Sequence, residues 1–321
     1  METEILWHAG PLIDDVEIAQ VHALAAAARE ADGVAPLSEQ PLLNLRTDSD
    51  DVVHLLTWRR GELAGYAQVD RRGDAPRAEL VVRPTYRRRG LGFHLLASAA
   101  DRASESATAP GSSSGPPTNG APASLRVWAH GDLPAARALA ARSRYVPVRE
   151  LLVLARPLDA LPEPPPVPTG LWLRPFVPGD DDAAWVRVNA AAFARHPEQG
   201  RLTVADLHDR VREDWFDPEG LLLLERGEGG LVGFVWTKVP TGQDPSRAPE
   251  GEIYVVGVAP EAQGQGLGGL LTAVGLAHLA RVGVGTAVLY VDGDNVPALR
   301  TYERAGFTRR EVHVQYAPDG P

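Results

Sequence analysis

Residues 254–275 read YVVGVAPEAQGQGLGGLLTAVG, and they carry the strongest structural signal in the chain. A β-rich run, Tyr254 to Val258, is followed by a proline, a glycine-rich turn and an apolar segment that predicts a helix. A glycine loop between a strand and a helix presents backbone N–H groups at the helix N-terminus, where the helix dipole favours anions. Gly266 and Gly268 have no side chain, so a pyrophosphate can approach the backbone closely. The stretch therefore predicts a site for a phosphate-containing ligand.

Two well-known phosphate-binding loops fit this stretch poorly. A nucleotide-hydrolysing loop needs Gly-x4-Gly-Lys-Ser/Thr, and no Lys-Ser/Thr pair follows the glycines. Gly264, Gly266 and Gly269 do have the spacing of a dinucleotide fingerprint, but the hairpins upstream and the glutamine that leads into the loop count against it. A glycine-rich turn that merely closes a strand–helix connection remains as the structural alternative.

The same arrangement occurs earlier in the chain. Arg87 to Gly92 (RRRGLG) and Gln263 to Gly268 (QGQGLG) share the pattern Q/R-x-x-G-x-G at an offset of 176 residues, 263 minus 87. At that offset Pro84 falls on Pro260. A hairpin upstream and a strand, Gly-Asp turn and helix downstream also recur in both halves. A repeat of this length is too long for a solenoid, and it indicates a duplicated domain.

The order of the predicted elements defines the fold class. Hairpins followed by strand–helix units predict an α/β fold with a mixed, mainly antiparallel sheet flanked by helices, present as two tandem domains. The Pro-rich stretch PLDALPEPPPVPTG predicts a stiff spacer near the midpoint. We therefore expect an N-terminal domain at 1–156, a linker at 157–169 and a C-terminal domain at 170–321. Ser104 to Ser124, dominated by Ser, Gly, Pro and Ala, predicts a flexible loop.

Composition limits the class of function. The net charge of −10 argues against a general nucleic-acid binder, because phosphate contacts need clustered Lys and Arg. The apolar runs are too short to span a bilayer and residues 1–20 have no signal pattern, so we expect no membrane partner and a cytoplasmic location. The chain has no cysteine, and no His/Asp/Glu cluster has metal spacing, so no metal is expected. A monomer is expected, although the sequence leaves the oligomeric state open.

On these motifs the chain resembles the GCN5-related N-acetyltransferases. In that family Q/R-x-x-G-x-G/A, after a strand and a short Pro-containing turn, binds the diphosphate of acetyl-CoA. The C-terminal half is similar to the tandem-domain branch that completes the synthesis of the thiol mycothiol, through AAFARHPEQG, FVWTKV, GEIYVVGVAPEAQGQGLG and LYVDGDNVPALRTYERAGF. The resemblance implies acetyl transfer from acetyl-CoA to the cysteinyl amine of cysteinyl-glucosaminyl-inositol, a small pseudo-disaccharide.

The resemblance also implies catalytic roles. Acyl transfer from a thioester to an amine requires that the amine lose a proton, and the departing thiolate benefits from gaining one. Glu252, at the start of the strand GEIYVVGV, occupies the position of the family's base, and Tyr302 that of its acid. From the residues alone, Glu252 could be a solvated strand-end carboxylate. Tyr302 could likewise be a core tyrosine on the helix face that it shares with Ala298 and Leu299.

Binding residues follow from the same resemblance. Backbone donors of the strand would meet the acetyl carbonyl and the pantetheine amide, and Gly257 would permit a bulge that splays the strands. In the C-terminal half the predicted cofactor-binding residues are Val256, Gly257, Val258, Gln263, Gly264, Gln265, Gly266, Leu267, Gly268, Gly269, Asn295 and Arg300. In the N-terminal half they are Leu80, Val81, Val82, Arg88, Arg89, Gly90, Leu91, Gly92 and Phe93, which allows one acetyl-CoA per domain. Substrate binding is predicted for Glu39, Glu198, Lys238, Glu252 and Tyr290.

The duplication predicts a division of labour between the halves. At the offset of 176 residues Glu252 corresponds to Pro76, and the nearest acid, Glu79, lies three positions further on and so on the opposite strand face by parity. Aligning the Gly-Asp turns places Tyr302 on Ala140. The C-terminal domain is therefore expected to catalyse, while the N-terminal domain binds cofactor or serves architecture. Two alternatives stay open: an acetyltransferase for another amine (aminoglycoside, polyamine or protein N-terminus), and a non-catalytic acyl-CoA-binding regulator.

Overall fold

The computed structural model describes residues 5–10, 13–73, 75–105, 124–194, 199–227, 230–243 and 248–320. Most of the predicted flexible loop, residues 106–123, lies outside the described residues, as does the predicted substrate residue Glu198. In the described ranges, every helix is too short or too polar to span a membrane. The chain forms two compact units: unit 1 contains Met1–Leu151 and Glu311–Pro321, and unit 2 contains Leu152–Arg310.

The elements follow one another as the glycine loops predict, with a helix beginning directly after each loop. In chain order the strands are β1 (Ile5–Gly10), β2 (Val52–Arg59), β3 (Glu62–Asp70), β4 (Arg77–Val82), β5 (Arg126–Ala129), β6 (Tyr145–Pro157), β7 (Leu171–Pro175), β8 (Leu221–Arg226), β9 (Gly230–Lys238), β10 (Glu250–Val258), β11 (Thr286–Asp292) and β12 (Thr308–Pro318). The α-helices are α1 (Asp15–Asp32), α2 (Glu39–Leu43), α3 (Leu91–Ser104), α4 (Pro134–Arg142), α5 (Asp182–Ala192), α6 (Val204–Val211), α7 (Leu267–Arg281) and α8 (Val296–Arg304).

Unit 1 is a sheet with helices on both faces. Its strands lie in the order β1-β2-β3-β4-β5-β12, antiparallel except for the β4–β5 pair. Helix α1 begins with a capping box between Asp14 and Glu17, and it packs Val21 and Leu24 against the side of the sheet that carries Tyr66. Helix α3 packs on the other face, where it meets β2, β3 and β4. The glycine loop between β4 and α3 therefore lies at the end of a well-packed sheet.

Unit 2 repeats this plan. Strands β7, β8, β9 and β10 are antiparallel, and β10 runs parallel to β11. One face is covered by α5 and α6 and buries an aromatic core that includes Trp185, Phe234 and Trp236. Helix α7 approaches the other face so closely that a Cβ at Gly275 would lie 2.7 Å from Val235. The mixed, mainly antiparallel fold and its duplication are thus confirmed.

The compact units differ from the predicted division at 157–169. Strand β12 pairs with β5, with Val314 opposite Ala129 and Tyr316 opposite Val127, so residues 311–321 belong to unit 1 and not to the unit that precedes them in sequence. The sequence of β12 indicates a strand, but it carries no signal for which other strand it pairs with. Edge strands β1 and β7 and helices α2 and α6 were also absent from the sequence-based prediction.

Candidate active site

The two glycine loops have the same backbone conformation. In unit 2 the loop passes through a 3₁₀ turn at Pro260–Ala262 and then takes left-handed φ values of 75° at Gly264 and 78° at Gly266. In unit 1, after an equivalent turn, Arg88 has φ 61° and Gly90 has φ 85°. A non-glycine residue in this region costs on the order of 1 kcal/mol. Retention of the same geometry at Arg88 shows that the loop shape itself is maintained in both units.

The side chain of the first residue in each loop forms a hydrogen bond back to the end of the preceding strand. The amide Nε2 of Gln263 donates to the carbonyl oxygen of Val258 at 3.1 Å. In unit 1 the Nε of Arg87 donates to the carbonyl oxygen of Val82 at 3.0 Å, and its guanidinium also pairs with Asp32. Gln and Arg are interchangeable here because each supplies one N–H donor. The side chain of Gln263, predicted to bind cofactor, therefore shapes the loop.

The helix N-terminus behind each loop is open. In the described chain, α7 at Gly266 and α3 at Gly90 have no side-chain cap, as is also the case for α2, α4 and α5, whereas α1, α6 and α8 have one. The first N–H groups of a helix have no acceptor within it. A Cβ at Gly268 or Gly269 would meet no atom of the described residues within 4 Å. The open dipole end and the free space above it fit the diphosphate of acetyl-CoA.

The strands diverge just before each loop. Among the described residues β10 pairs with β11 only over 250–252, and β4 pairs with β5 only over 77–79. In the described structure, no strand pairs with that side of β10 over Val256, Gly257 and Val258, and there the carbonyl of Val258 accepts from Gln263. Unpaired backbone donors and acceptors need partners, and an extended pantetheine arm with its two amides can supply them. The predicted acetyl and pantetheine contacts thus lie on exposed strand edges.

In unit 1 the predicted cofactor residues surround one large cavity of about 1420 Å³. Its lining also includes residues of α4 together with Tyr145 and Tyr316. The predicted residues that line it are Leu80, Val81, Val82, Arg88, Arg89, Gly90, Leu91, Gly92 and Phe93. Strand edge and glycine loop therefore converge on a single space of a size suited to a nucleotide-bearing ligand.

The bulge in β10 lies at a different residue from the one expected. The register shifts between Ile253 and Val255, so that Tyr254 is the extra residue. Gly257 continues the regular ladder, and a Cβ there would lie 2.5 Å from the buried ring of Phe234. Gly257 is thus required by ring packing, and the bulge prediction for this residue is wrong.

The bulge also changes the correspondence between units. Strand β4 pairs with β3 without a register shift. The pairs Val258–Gly233 and Val82–Gly65 occupy equivalent positions in the two units. When the paired positions are counted back from them, Glu252 corresponds to Arg77 and not to Pro76. Glu79 lies two residues from Arg77 and therefore on the same strand face. The prediction that Glu79 lies on the opposite face is wrong, because the sequence offset ignores the extra residue in β10.

Glu252 lies beside a cation that is held by aromatic rings. Its partner across the strands is Lys238, whose Nζ lies 4.5 Å from the ring centre of Trp215 and 5.2 Å from that of Tyr254. The hydroxyl of Tyr254 accepts a hydrogen bond from the Nε of Arg210 at 3.0 Å. The structure thus brings together two predicted residues, Glu252 and Lys238, and adds three that the sequence did not single out. The adjacent aromatics of EDWFDPEG were the only available signal for Trp215.

The other predicted residues of unit 2 lie on β11 and α8. Tyr290 is 47% exposed, and it lies two residues after Val288, which pairs with Glu252. Asn295, predicted to bind cofactor, caps α8 by accepting from the N–H of Ala298 at 3.2 Å, and Arg300 is exposed. The ring of Tyr302 is partly accessible, while burial around its hydroxyl raises the pKa of Tyr302 to about 12. Its phenol therefore keeps its proton at neutral pH.

Unit 1 contains a buried polar cluster next to Glu39. The carboxylate of Glu79 accepts from the backbone N–H of Ser38 at 2.7 Å and from its hydroxyl at 2.6 Å, and it lies 3.0 Å from the Nε2 of His130. Burial alone would raise the pKa of Glu79, but His130 and the Ser38 donors outweigh it and hold this pKa below its usual range. Burial lowers the pKa of the neighbouring His313 to about 4.

Comparison with known proteins gives one consistent result. The model of the "Acetyltransferase (GNAT) family" matches residues 19–109 and 189–307, which include both glycine loops. Proteins named mycothiol acetyltransferase are 52% identical in Cellulomonas flavigena (93% of this chain, 84% of that protein) and 52% identical in Sanguibacter keddieii (92% and 91%).

Solved structures agree with the fold. A GCN5-related N-acetyltransferase from Sphaerobacter thermophilus matches with a TM-score of 0.71 at 27% identity, covering 97% of this chain and 95% of that one. A tandem GNAT protein from the clavulanic acid biosynthesis pathway matches with a TM-score of 0.72 over 99% of both chains. Its identity of 19% supports the tandem fold alone.

Proposed function

Because this chain belongs to the acetyltransferase (GNAT) family, we propose that it transfers the acetyl group of acetyl-CoA to the cysteinyl amine of cysteinyl-glucosaminyl-inositol, the last step of mycothiol synthesis. The observation that carries this substrate is the 52% identity, over more than nine-tenths of the chain, to proteins named mycothiol acetyltransferase. Unit 2 supports it with a glycine loop at an open helix end, a carboxylate paired across the strands with a lysine, and a protonated phenol on α8.

Glu252 accepts the proton of the attacking amine, directly or through one water molecule. A free α-amine has a pKa of about 8, so a carboxylate is a sufficient base at neutral pH. The strand register holds Glu252 beside Lys238, and the rings below Lys238 limit where its ammonium can move. Lys238 and the hydroxyl of Tyr290 then donate hydrogen bonds to the polyhydroxylated part of the substrate, and the predicted residue Glu198 accepts them from its hydroxyl groups.

Tyr302 supplies the proton for the departing sulfur. Its raised pKa keeps the hydroxyl protonated, so it can donate a hydrogen bond as negative charge develops on the thiolate. Backbone N–H groups at Val256 and Val258 bind the acyl end and the pantetheine arm, and the loop from Gly264 to Gly269 binds the diphosphate. Asn295, at the N-terminus of α8, and Arg300, in the middle of this helix, provide further cofactor contacts.

Unit 1 binds a second acetyl-CoA without turning it over. Its cavity has the loop and the strand edge that such a ligand needs, and Arg88 and Arg89 in its lining add positive charge. The register position of Glu252 is held by Arg77, and Tyr302 is replaced by Ala140 in the alignment of the Gly-Asp turns. A base and an acid in the corresponding places are therefore missing from the described part of unit 1.

The decisive experiment follows CoA release with the cysteinyl amino-sugar and with a panel of generic amines. The wild-type enzyme should turn over the amino-sugar best. Glu252→Gln should lower kcat by about 100-fold or more, while Arg88→Ala and the matched control Glu250→Gln, two residues away on the same strand, should stay near wild type.

Each alternative has its own outcome in that assay. Turnover of an aminoglycoside, a polyamine or a peptide amine, without turnover of the amino-sugar, would assign the enzyme to another substrate. Tight CoA binding with no turnover of any amine would indicate a regulator. Comparable losses in Glu252→Gln and Arg88→Ala would contradict the division between the two units.

A further inference from the structure

The lining of the unit 1 cavity contains a histidine that the proposed chemistry does not use. His130 directly follows β5, it lines the cavity, and its side chain is 9% exposed. A buried imidazole ring needs partners for both of its nitrogen atoms. The partner that the fold supplies, and the one that it does not, indicate which part of a ligand this residue contacts.

One side of the His130 ring faces an ionised carboxylate. Its Nε2 lies 3.0 Å from Glu79, which is within ion-pair distance although not aligned for a hydrogen bond. Burial raises the pKa of Glu79, but the charge of His130 and the hydrogen bonds from Ser38 outweigh this effect, so the carboxylate is ionised. A buried carboxylate is costly unless an opposite charge compensates for the lost water. His130 supplies that charge as an imidazolium, which has two N–H donors and no acceptor.

The second donor of His130 is left for the cavity. Its Nδ1 makes no hydrogen bond to any of the described residues. The ring of His313 packs edge-on against it with ring centres 4.7 Å apart, and the Nδ1 of His313 accepts instead from the backbone N–H of Gly131 at 3.0 Å. A charged donor without an acceptor is costly when its side chain is nine-tenths buried, so a ligand with an acceptor at this place would bind favourably.

The topology of unit 1 shows which end of a bound cofactor reaches His130. Strands β4 and β5 pair as far as Glu79 and Trp128 and then diverge, and the cavity is lined by residues 80–82 of one strand and 127–130 of the other. The glycine loop follows Val82. A cofactor whose diphosphate binds at this loop, and whose pantetheine arm runs back along β4, brings its sulfur to the point where the strands diverge. His130 lies two residues beyond the last pair, at that point.

The group that distinguishes acetyl-CoA from CoA at this end is the carbonyl oxygen of the thioester, since a thiol is only a weak acceptor. We propose that His130 is the specificity-determining residue of unit 1: its Nδ1–H donates to the acyl carbonyl oxygen, so the cavity binds acetyl-CoA more tightly than CoA. The inference rests on the proposed function, which assigns a second acetyl-CoA to this cavity. An imidazolium has no lone pair with which to remove a proton, so this contact binds the thioester without activating a nucleophile.

The test measures the Kd of unit 1 for acetyl-CoA and for CoA by titration calorimetry on the full chain. A Gly268→Asp background isolates unit 1, because it places a carboxylate where the unit 2 diphosphate is proposed to bind. The Cβ there has no atom of the described residues within 4 Å, and an acidic residue is favourable at a helix N-terminus, so this chain should fold.

In that background acetyl-CoA should bind about tenfold or more tightly than CoA, and His130→Phe should reduce this preference to less than about twofold. The infrared C=O stretch of the bound thioester should also move to higher frequency in His130→Phe, because the carbonyl loses its donor. His94→Phe is the matched control: it makes the same replacement at a histidine of α3 that lines the cavity beside the glycine loop, and it should keep both the preference and the stretch.

Equal binding of the two ligands, or an unchanged preference in His130→Phe, would overturn the proposal. If His130→Phe does not fold by circular dichroism because Glu79 is left unpaired, the double variant with Glu79→Gln removes both charges and is judged by the same ratio. A Gly268→Asp chain that binds no acetyl-CoA would contradict the proposed second cofactor site itself. A site that remains but shows no preference overturns the role of His130 alone, so the two failures are distinguishable.

Discussion

Gly268→Ala should weaken the binding of CoA without lowering the stability of the protein. Gly268 is the second residue of α7, with a helical backbone, and a methyl group at its Cβ position would have no atom of the described residues within 4 Å. Nothing in the described fold therefore requires glycine at this residue. The requirement comes from the ligand, if the diphosphate approaches the backbone as the open helix end predicts.

The two expected effects have opposite signs. Alanine is favoured over glycine in a helix by up to about 1 kcal/mol, so the free energy of unfolding should rise slightly or stay unchanged. With CoA bound, the new methyl group would occupy space next to the diphosphate, and overpacking of this kind costs about 1–3 kcal/mol. That cost corresponds to an increase in the Kd for CoA of about fivefold to 150-fold.

Titration calorimetry with CoA and urea unfolding without ligand would measure the two quantities. Gly251→Ala is a control for which the opposite pair of effects is expected. Its Cβ would lie 2.8 Å from Leu279, so it should lower the free energy of unfolding and leave the Kd for CoA nearly unchanged. Wild-type affinity in Gly268→Ala, or a loss of stability greater than about 1 kcal/mol, would refute the assignment of this loop to the diphosphate.

Three further results are expected. Tyr302→Phe should lower kcat by about 10- to 100-fold without changing the KM for the amine, and it should remove any alkaline limb that the phenol imposes on the kcat–pH profile. His313 takes up its proton near pH 4 when folded and near pH 6.5 when unfolded, so stability is lost as pH falls from 6.5 to 4. Between pH 7 and pH 5 the free energy of unfolding should fall by about 2 kcal/mol from this group. His313→Asn keeps an acceptor for the Gly131 N–H, and urea unfolding at both pH values should show that it removes most of this pH dependence. Trp215→Leu should raise the KM for the amino-sugar about threefold to tenfold because Lys238 loses an aromatic face, whereas Trp215→Phe should be closer to wild type.

The glycine loops were the most predictable part of the molecule because their geometry is encoded locally. A proline sets the turn, a glycine supplies the left-handed residue before the helix, and Gln263 or Arg87 supplies the donor that closes it. These signals lie within about ten residues of one another. The duplicated pattern then gave the fold class and the order of elements, since each unit repeats the same local sequence signals.

Features that depend on distant partners could not be predicted in this way. The bulge at Tyr254 follows from how β10 pairs with β9, and a single extra residue was enough to assign Glu79 to the wrong strand face. Lys238 and Trp215 are 23 positions apart in sequence and meet only through tertiary packing. Ser38 has the appearance of a helix cap, but its hydroxyl is used by a carboxylate on another element.

The pairing of β12 with β5 has a consequence for biosynthesis. Thr308, the first residue of β12, is made 179 positions after Ala129, the last residue of β5, which corresponds to about 10–40 s of translation at roughly 5–20 residues per second. Throughout that interval the nascent unit 1 exposes an unpaired strand edge and lacks the cavity wall formed by Tyr316. Unit 1, whose synthesis begins before that of unit 2, is therefore completed after it, and loss of residues 311–321 would damage unit 1.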